Sequence, residues 1–140
     1  DRYIAALNAL DIQYAEAVRK SSGSTLLFAD RFAFRYFVED YGIRYYAAFN
    51  GCSAETEASF NTVAFLVNKL DELALGSVIV LEGSDDRLAR VVIENSAKKD
   101  QQILVLNSMQ SVSQRDMRAG ITYLNVMEAN LKTLRRALDY

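Results

Sequence analysis

The sequence predicts an α/β fold, a three-layer unit with a four-stranded parallel sheet and helices on both faces. Three observations predict it. Short apolar runs recur near residues 25–29, 44–49, 77–82 and 102–106, as strands require. Between them lie segments whose apolar residues are spaced by three and four, the period of a helix. Gly- and Ser-containing clusters punctuate the change from one pattern to the other. Strands alternating with helices imply crossover connections and a parallel sheet.

Tyr3, Leu7, Leu10, Tyr14 and Val18 set a first helix that runs to about Lys20 and stops at Ser21-Ser22-Gly23-Ser24. Thr25-Leu26-Leu27-Phe28-Ala29 is continuously apolar, the mark of a strand buried on both faces, and Asp30 closes it. A helix is expected from Arg31 to Tyr41, with Phe34, Phe37 and Val38 on one face and Gly42 as its stop. Residues 44–49 form the second strand and Asn50-Gly51 the turn after it. Phe60, Val63, Ala64, Val67 and Leu70 mark a helix over about 59–75, ended by Gly76. The third strand covers 77–82 and breaks at Gly83-Ser84. Asp85 or Asp86 then caps a helix holding Leu88, Val91 and Val92. Residues 102–106 form the fourth strand. Ser113-Gln114-Arg115-Asp116 is a capping-box pattern that opens a short helical turn ended by Gly120. Leu124, Met127, Leu131, Leu134 and Leu138 define the last helix.

Composition narrows the chemistry. The 140 residues carry 16 Lys plus Arg against 18 Asp plus Glu, a net charge of −2, which disfavours nucleic acid as a partner. One Cys excludes an internal disulfide and a multi-Cys zinc cluster, and the lack of His excludes His-based catalysis and His ligands within this chain. No apolar stretch approaches the roughly 18 residues of a membrane span. Gly-x-Gly-x-x-Gly, Gly-Lys-Ser/Thr and Gly-x-Ser-x-Gly motifs are missing, so nothing points to an enzyme. A helical pattern already running at Tyr3 predicts a piece of something longer.

In open α/β sheets, ligands bind beyond the carboxyl ends of the strands. Those ends carry Asp30-Arg31, Asn50-Gly51-Cys52-Ser53, Glu82-Gly83-Ser84-Asp85-Asp86 and Asn107-Ser108, with Glu55 and Glu57 close behind the second. Acids gathered at one edge repel one another, and a bound cation neutralises them. Each also has a simpler role open to it. Asp85 and Asp86 suit a helix start, as do Glu55 and Glu57. Asp30 can cap the next helix or pair with an Arg, Glu82 can bind backbone amides, and Cys52 can fill apolar space.

Phe34-Arg35-Tyr36-Phe37 followed by Tyr41-Gly42-Ile43 resembles the start of the C-terminal lobe of the zinc/manganese solute-binding proteins of bacterial ABC importers. Residues 51–59 are similar to that family's Gly-x-Ser-Pro-Glu-x-Glu-Pro-Ser loop, with Ala54 and Ala58 where Pro is usual. Residues 80–86 resemble its strand and acidic turn, and Gly120-x-Thr122-Tyr123-Leu124-x-x-Met127-x-x-Asn130-Leu131 its closing helix.

The resemblance implies two α/β lobes joined by a long helix, with the metal held between them. Residues 1–20 would be the end of that helix and 21–140 the C-terminal metal-binding lobe, the N-terminal lobe lying outside this chain. It implies an acidic metal ligand at Asp85 or Asp86. The second ligand position falls on Arg31, which cannot bind a cation, so the expectation moves to Asp30 beside it. A carboxylate in place of imidazole shifts preference from zinc toward manganese. The implied function is capture of Zn2+ or Mn2+ outside the cytoplasm, at a lipid-anchored cell surface or in the periplasm, and delivery to the importer's membrane permease, without catalysis. A different reading is a magnesium-binding receiver or phosphotransfer domain. It needs paired acids after the first strand and a Lys after the last, whereas Asp30 stands alone and Lys132 comes only in the final helix. A third is a lobe kept only for partner contact.

Overall fold

A computed structural model describes residues 2–21, 25–31, 34–49, 60–108, 118, 120 and 122–138. The elements are α1 (Arg2–Lys20), β1 (Thr25–Arg31), α2 (Arg35–Tyr41), β2 (Arg44–Phe49), α3 (Phe60–Glu72), β3 (Ser77–Leu81), α4 (Arg87–Glu94), β4 (Gln102–Leu106) and α5 (Tyr123–Ala137). The four strands form one parallel sheet in the order β2-β1-β3-β4. The predicted turn at Asn50-Gly51 and the helical turn over 113–120 lie outside the described residues, apart from Arg118 and Gly120.

Side chains alternate across a strand, so one apolar run feeds two cores. Leu26 and Phe28 join Tyr14, Val38, Leu131 and Leu134 on the face covered by α1, α2 and α5. Leu27 and Ala29 join Leu66, Leu70, Val92 and Ile93 on the face covered by α3 and α4. The three-layer expectation is met. The outer strands are less enclosed, with Val105 on β4 half exposed and Tyr45 on β2 exposed.

Two boundaries differ from expectation for local reasons. β1 runs through Arg31 because that residue still pairs with Phe49, across an irregularity in register after Phe28. α2 therefore starts at Arg35, behind Phe34, and ends at Gly42, whose positive φ of 66° turns the chain so that the Ile43 N–H reaches the Val38 carbonyl at 2.8 Å. At α4, Asp86 is the residue before the helix, but its side chain makes no capping bond. Asp85 caps instead, accepting from the Arg87 N–H at 3.1 Å.

α1 is seated by its second half. Leu10, Tyr14, Ala17 and Val18 are buried, while Tyr3, Ile4 and Ile12 are exposed. The Tyr14 hydroxyl donates to the Met127 carbonyl of α5, and the Tyr41 hydroxyl of α2 donates to Asp11 of α1. Tyr14 also stacks on Tyr41 and meets Phe37 edge-on. Three helices on one face are thus tied through two phenols.

Candidate metal site at the carboxyl edge of the sheet

The order of strands in the sheet makes β1 and β3 neighbours, while their connections leave in opposite directions, to β2 and to β4. That is a topological switch point, where the loops diverge and leave a crevice. Asp30, the penultimate residue of β1, stands at it. Its Oδ2 accepts from the Leu81 N–H at the end of β3, 3.0 Å away. This bond stops the two central strands from splaying where their pairing runs out. A carboxylate retains acceptor capacity after one such bond, and its orientation is now set.

The turn after β3 depends on Gly83, at φ 73°, to swing the chain toward α4. Along it, Glu82 faces the exit of β4. Its Oε2 accepts from the Ser108 N–H and its Oε1 from the Ser108 hydroxyl, each at 2.8 Å. The expected role for Glu82 as an amide acceptor is met, but the amide belongs to the neighbouring strand's exit rather than to its own turn. Asp85 is exposed and bonded to Arg87; Asp86 lies 3.0 Å from the Arg90 guanidinium at the surface.

The structure thus places Asp30, Glu82, Asp85 and Asp86 along one edge, each bonded to protein donors. Among the described residues, no three His, Cys, Asp or Glu side chains come close enough together to hold a metal ion. Cys52, Ser53, Glu55 and Glu57 lie outside the described residues. Arg31 is in β1, and Lys69, on α3, sits over the Tyr46 ring at 5.1 Å rather than at the edge.

Asn130 falls in the closing-helix motif read from the sequence, which assigns it no role. It is 4% exposed on α5, where its side chain accepts from the Asn107 N–H and donates to the Asn107 carbonyl, both at 2.9 Å. The signal in the sequence is an amide set directly before Leu131 in an apolar helix stripe. Such a position has to be satisfied internally.

The structure is thus a parallel α/β lobe with a carboxylate, Asp30, at its switch point. Residues 1–137 match the family described as ZnuA, zinc-uptake complex component A, periplasmic, and the chain belongs to that family. Among its relatives is the zinc-binding lipoprotein AdcA of Streptococcus pneumoniae TIGR4, 31% identical over 98% of this chain and 26% of the relative. The high-affinity zinc uptake system protein ZnuA of Bacillus subtilis is 25% identical over 97% of this chain and 41% of its own length. The crystal structure of the Zn(II)-bound ZnuA-like domain of S. pneumoniae AdcA superposes with a TM-score of 0.74 at 29% identity. That superposition covers 99% of this chain and 50% of that one. The chain therefore spans between about a quarter and a half of the length of these relatives. Family membership bears out the resemblance to solute-binding proteins over the receiver reading. No helix among the described residues is long and apolar enough to cross a membrane.

Proposed function

We propose that this chain is the C-terminal lobe of an extracytoplasmic solute-binding component of a zinc-importing ABC system. Residues 1–20 are the end of the helix that joins it to a second lobe, and residues 21–140 are the lobe itself. The observation that carries this is a family match running from one end of the chain to the other, over residues 1–137. The cargo is Zn2+, with Mn2+ as the competing ion, and the further partners are the membrane permease and the N-terminal lobe.

The carboxyl edge supplies part of the coordination shell, with Asp30 and either Asp85 or Asp86 as the ligands. Bringing a cation to this edge relieves repulsion among its acids, which favours binding there. The side chains of this chain alone offer oxygen donors and one Cys. Zinc ordinarily takes nitrogen or sulfur as well, so a complete zinc shell draws on the other lobe.

The test is titration of the 140-residue chain and of the intact two-lobed protein with zinc and manganese. The expected result is a Kd weaker than about 10⁻⁵ M for the chain alone and far tighter binding for the intact protein. Asp30→Ala, and Asp85→Ala with Asp86→Ala, in the intact protein are expected to abolish tight binding. Unchanged affinity in both would refute the ligand assignment. Tight stoichiometric binding by the isolated chain would refute the shared site.

A further inference from the structure

Side chains take over at the carboxyl edge where the backbone ladder ends. Just past the paired residues of β3 and β4, the Glu82 N–H donates to the Leu106 carbonyl at 3.3 Å. The next two residues of the β4 exit, Asn107 and Ser108, are then held from opposite sides. From α5, Asn130 offers Asn107 one acceptor and one donor, as a paired strand would, both bonds being 2.9 Å long. From the turn just after β3, Glu82 accepts both donors of Ser108 at 2.8 Å. A carboxylate that accepts an N–H and an O–H from one residue fixes that residue's position and orientation together.

We propose that Glu82 is a positioning residue for metal capture: with Asn130 it clamps the β4 exit in one register beside the Asp85-Asp86 turn. The inference rests on the capture function proposed above. Glu82 begins the same turn that carries Asp85 and Asp86, so the clamp sets the spacing between that turn and the β4 exit. Both of its oxygens face Ser108 donors. Those two bonds fix the orientation of the carboxylate toward the β4 exit. Glu82 acts on the ion through the geometry it imposes, as outer residues do around metal sites.

The experiment measures zinc affinity of the intact two-lobed protein by competition with a chromogenic chelator, alongside its thermal midpoint. The variants are Glu82→Gln, Ser108→Ala, their double, and Ser108→Thr. Glu82→Gln removes the charge and turns one acceptor into a donor, so the bond to the Ser108 hydroxyl survives only reversed and both bonds lose their charge assistance. We expect it to weaken zinc binding by about 10–100-fold, the usual effect of losing a group that orients a metal site. Ser108→Ala is expected to weaken it by a smaller factor, and the double variant to be no weaker than Glu82→Gln, because both remove one interaction. Ser108→Thr keeps both donors and is expected to bind as the parent does.

A loss confined to Glu82→Gln, with Ser108→Ala unaffected, would make Glu82 a ligand and overturn the proposal. Lowered thermal midpoints with unchanged zinc affinity would reduce the clamp to a purely structural feature and overturn it as well. If Glu82→Gln does not fold, the Ser108 pair still decides: equal zinc affinity in Ser108→Ala and Ser108→Thr overturns the clamp. A parent protein that captures no zinc overturns the capture function itself, a result separable from parent binding with unaffected variants.

Discussion

Replacing Asn130 tests how much the lobe depends on an internal amide. Its side chain is 4% exposed and makes two 2.9 Å bonds to the backbone of Asn107, which is itself half-buried. A hydrogen bond contributes about 1 kcal/mol net, and a buried group left without a partner costs about 1–3 kcal/mol. Asn130→Ala removes both bonds and strands one donor and one acceptor. Because Asn107 retains some access to water, the lower part of the range applies, and the expected loss is about 2–4 kcal/mol. For a chain of this size that corresponds to a fall of about 10 °C in Tm. Asn130→Asp separates hydrogen bonding from volume. It keeps an acceptor for the Asn107 N–H, yet sets a carboxylate oxygen against the Asn107 carbonyl and buries a charge. At neutral pH it is expected to be no more stable than Asn130→Ala, and acidification is expected to recover part of the loss by restoring a donor. Urea denaturation of the isolated chain across pH 3–7 reads both. A loss under about 1 kcal/mol for Asn130→Ala, or full stability of Asn130→Asp at neutral pH, would refute the reasoning.

Two further outcomes follow from the face that holds α1. The Tyr14 phenol is raised above its ordinary value of 10, chiefly by burial and then by Tyr41 and Tyr123; Tyr41 is raised by burial and by its bond to Asp11. Both phenols are therefore held neutral in the folded state, so their contribution is complete below pH 10 and is lost as pH rises above it. Alkaline denaturation should set in above pH 10, and Tyr14→Phe with Tyr41→Phe should flatten that limb while costing about 1 kcal/mol per lost bond at pH 7. Leu134→Ala on α5, a fully buried position in the same core, should cost about 2–5 kcal/mol in urea, with a loss below about 1 kcal/mol showing that the core collapses around it.

The alternation of apolar runs with helical spacing specified the layers because each strand side chain must face one of two cores. Leu26 and Leu27 illustrate this, since adjacent residues enter opposite cores. Helix ends were legible where one residue decides them, as at Gly42. They were not legible at Arg31, where pairing with β2 outweighs the local preference for a helix. The same limit applies to the acids. Sequence alone placed Asp30, Glu82, Asp85 and Asp86 beyond strand ends, and strand direction puts those ends on one edge.

What Asp30 and Glu82 do there was decided by contacts between elements far apart in the chain, whereas Asp85 and Asp86 are bonded within their own turn and helix. Asp30 meets Leu81, Glu82 meets Ser108, and Asn107 meets Asn130. None of these pairs follows from residue type or spacing, because a hydrogen bond depends on where two backbones come to rest, to within a fraction of an ångström. The sequence by itself determined an α/β lobe, its acidic edge and its family likeness, since these rest on periodicity, composition and residue order. Only the tertiary structure decided that β1 and β3 flank the switch point, and that Asp30 is bonded across it.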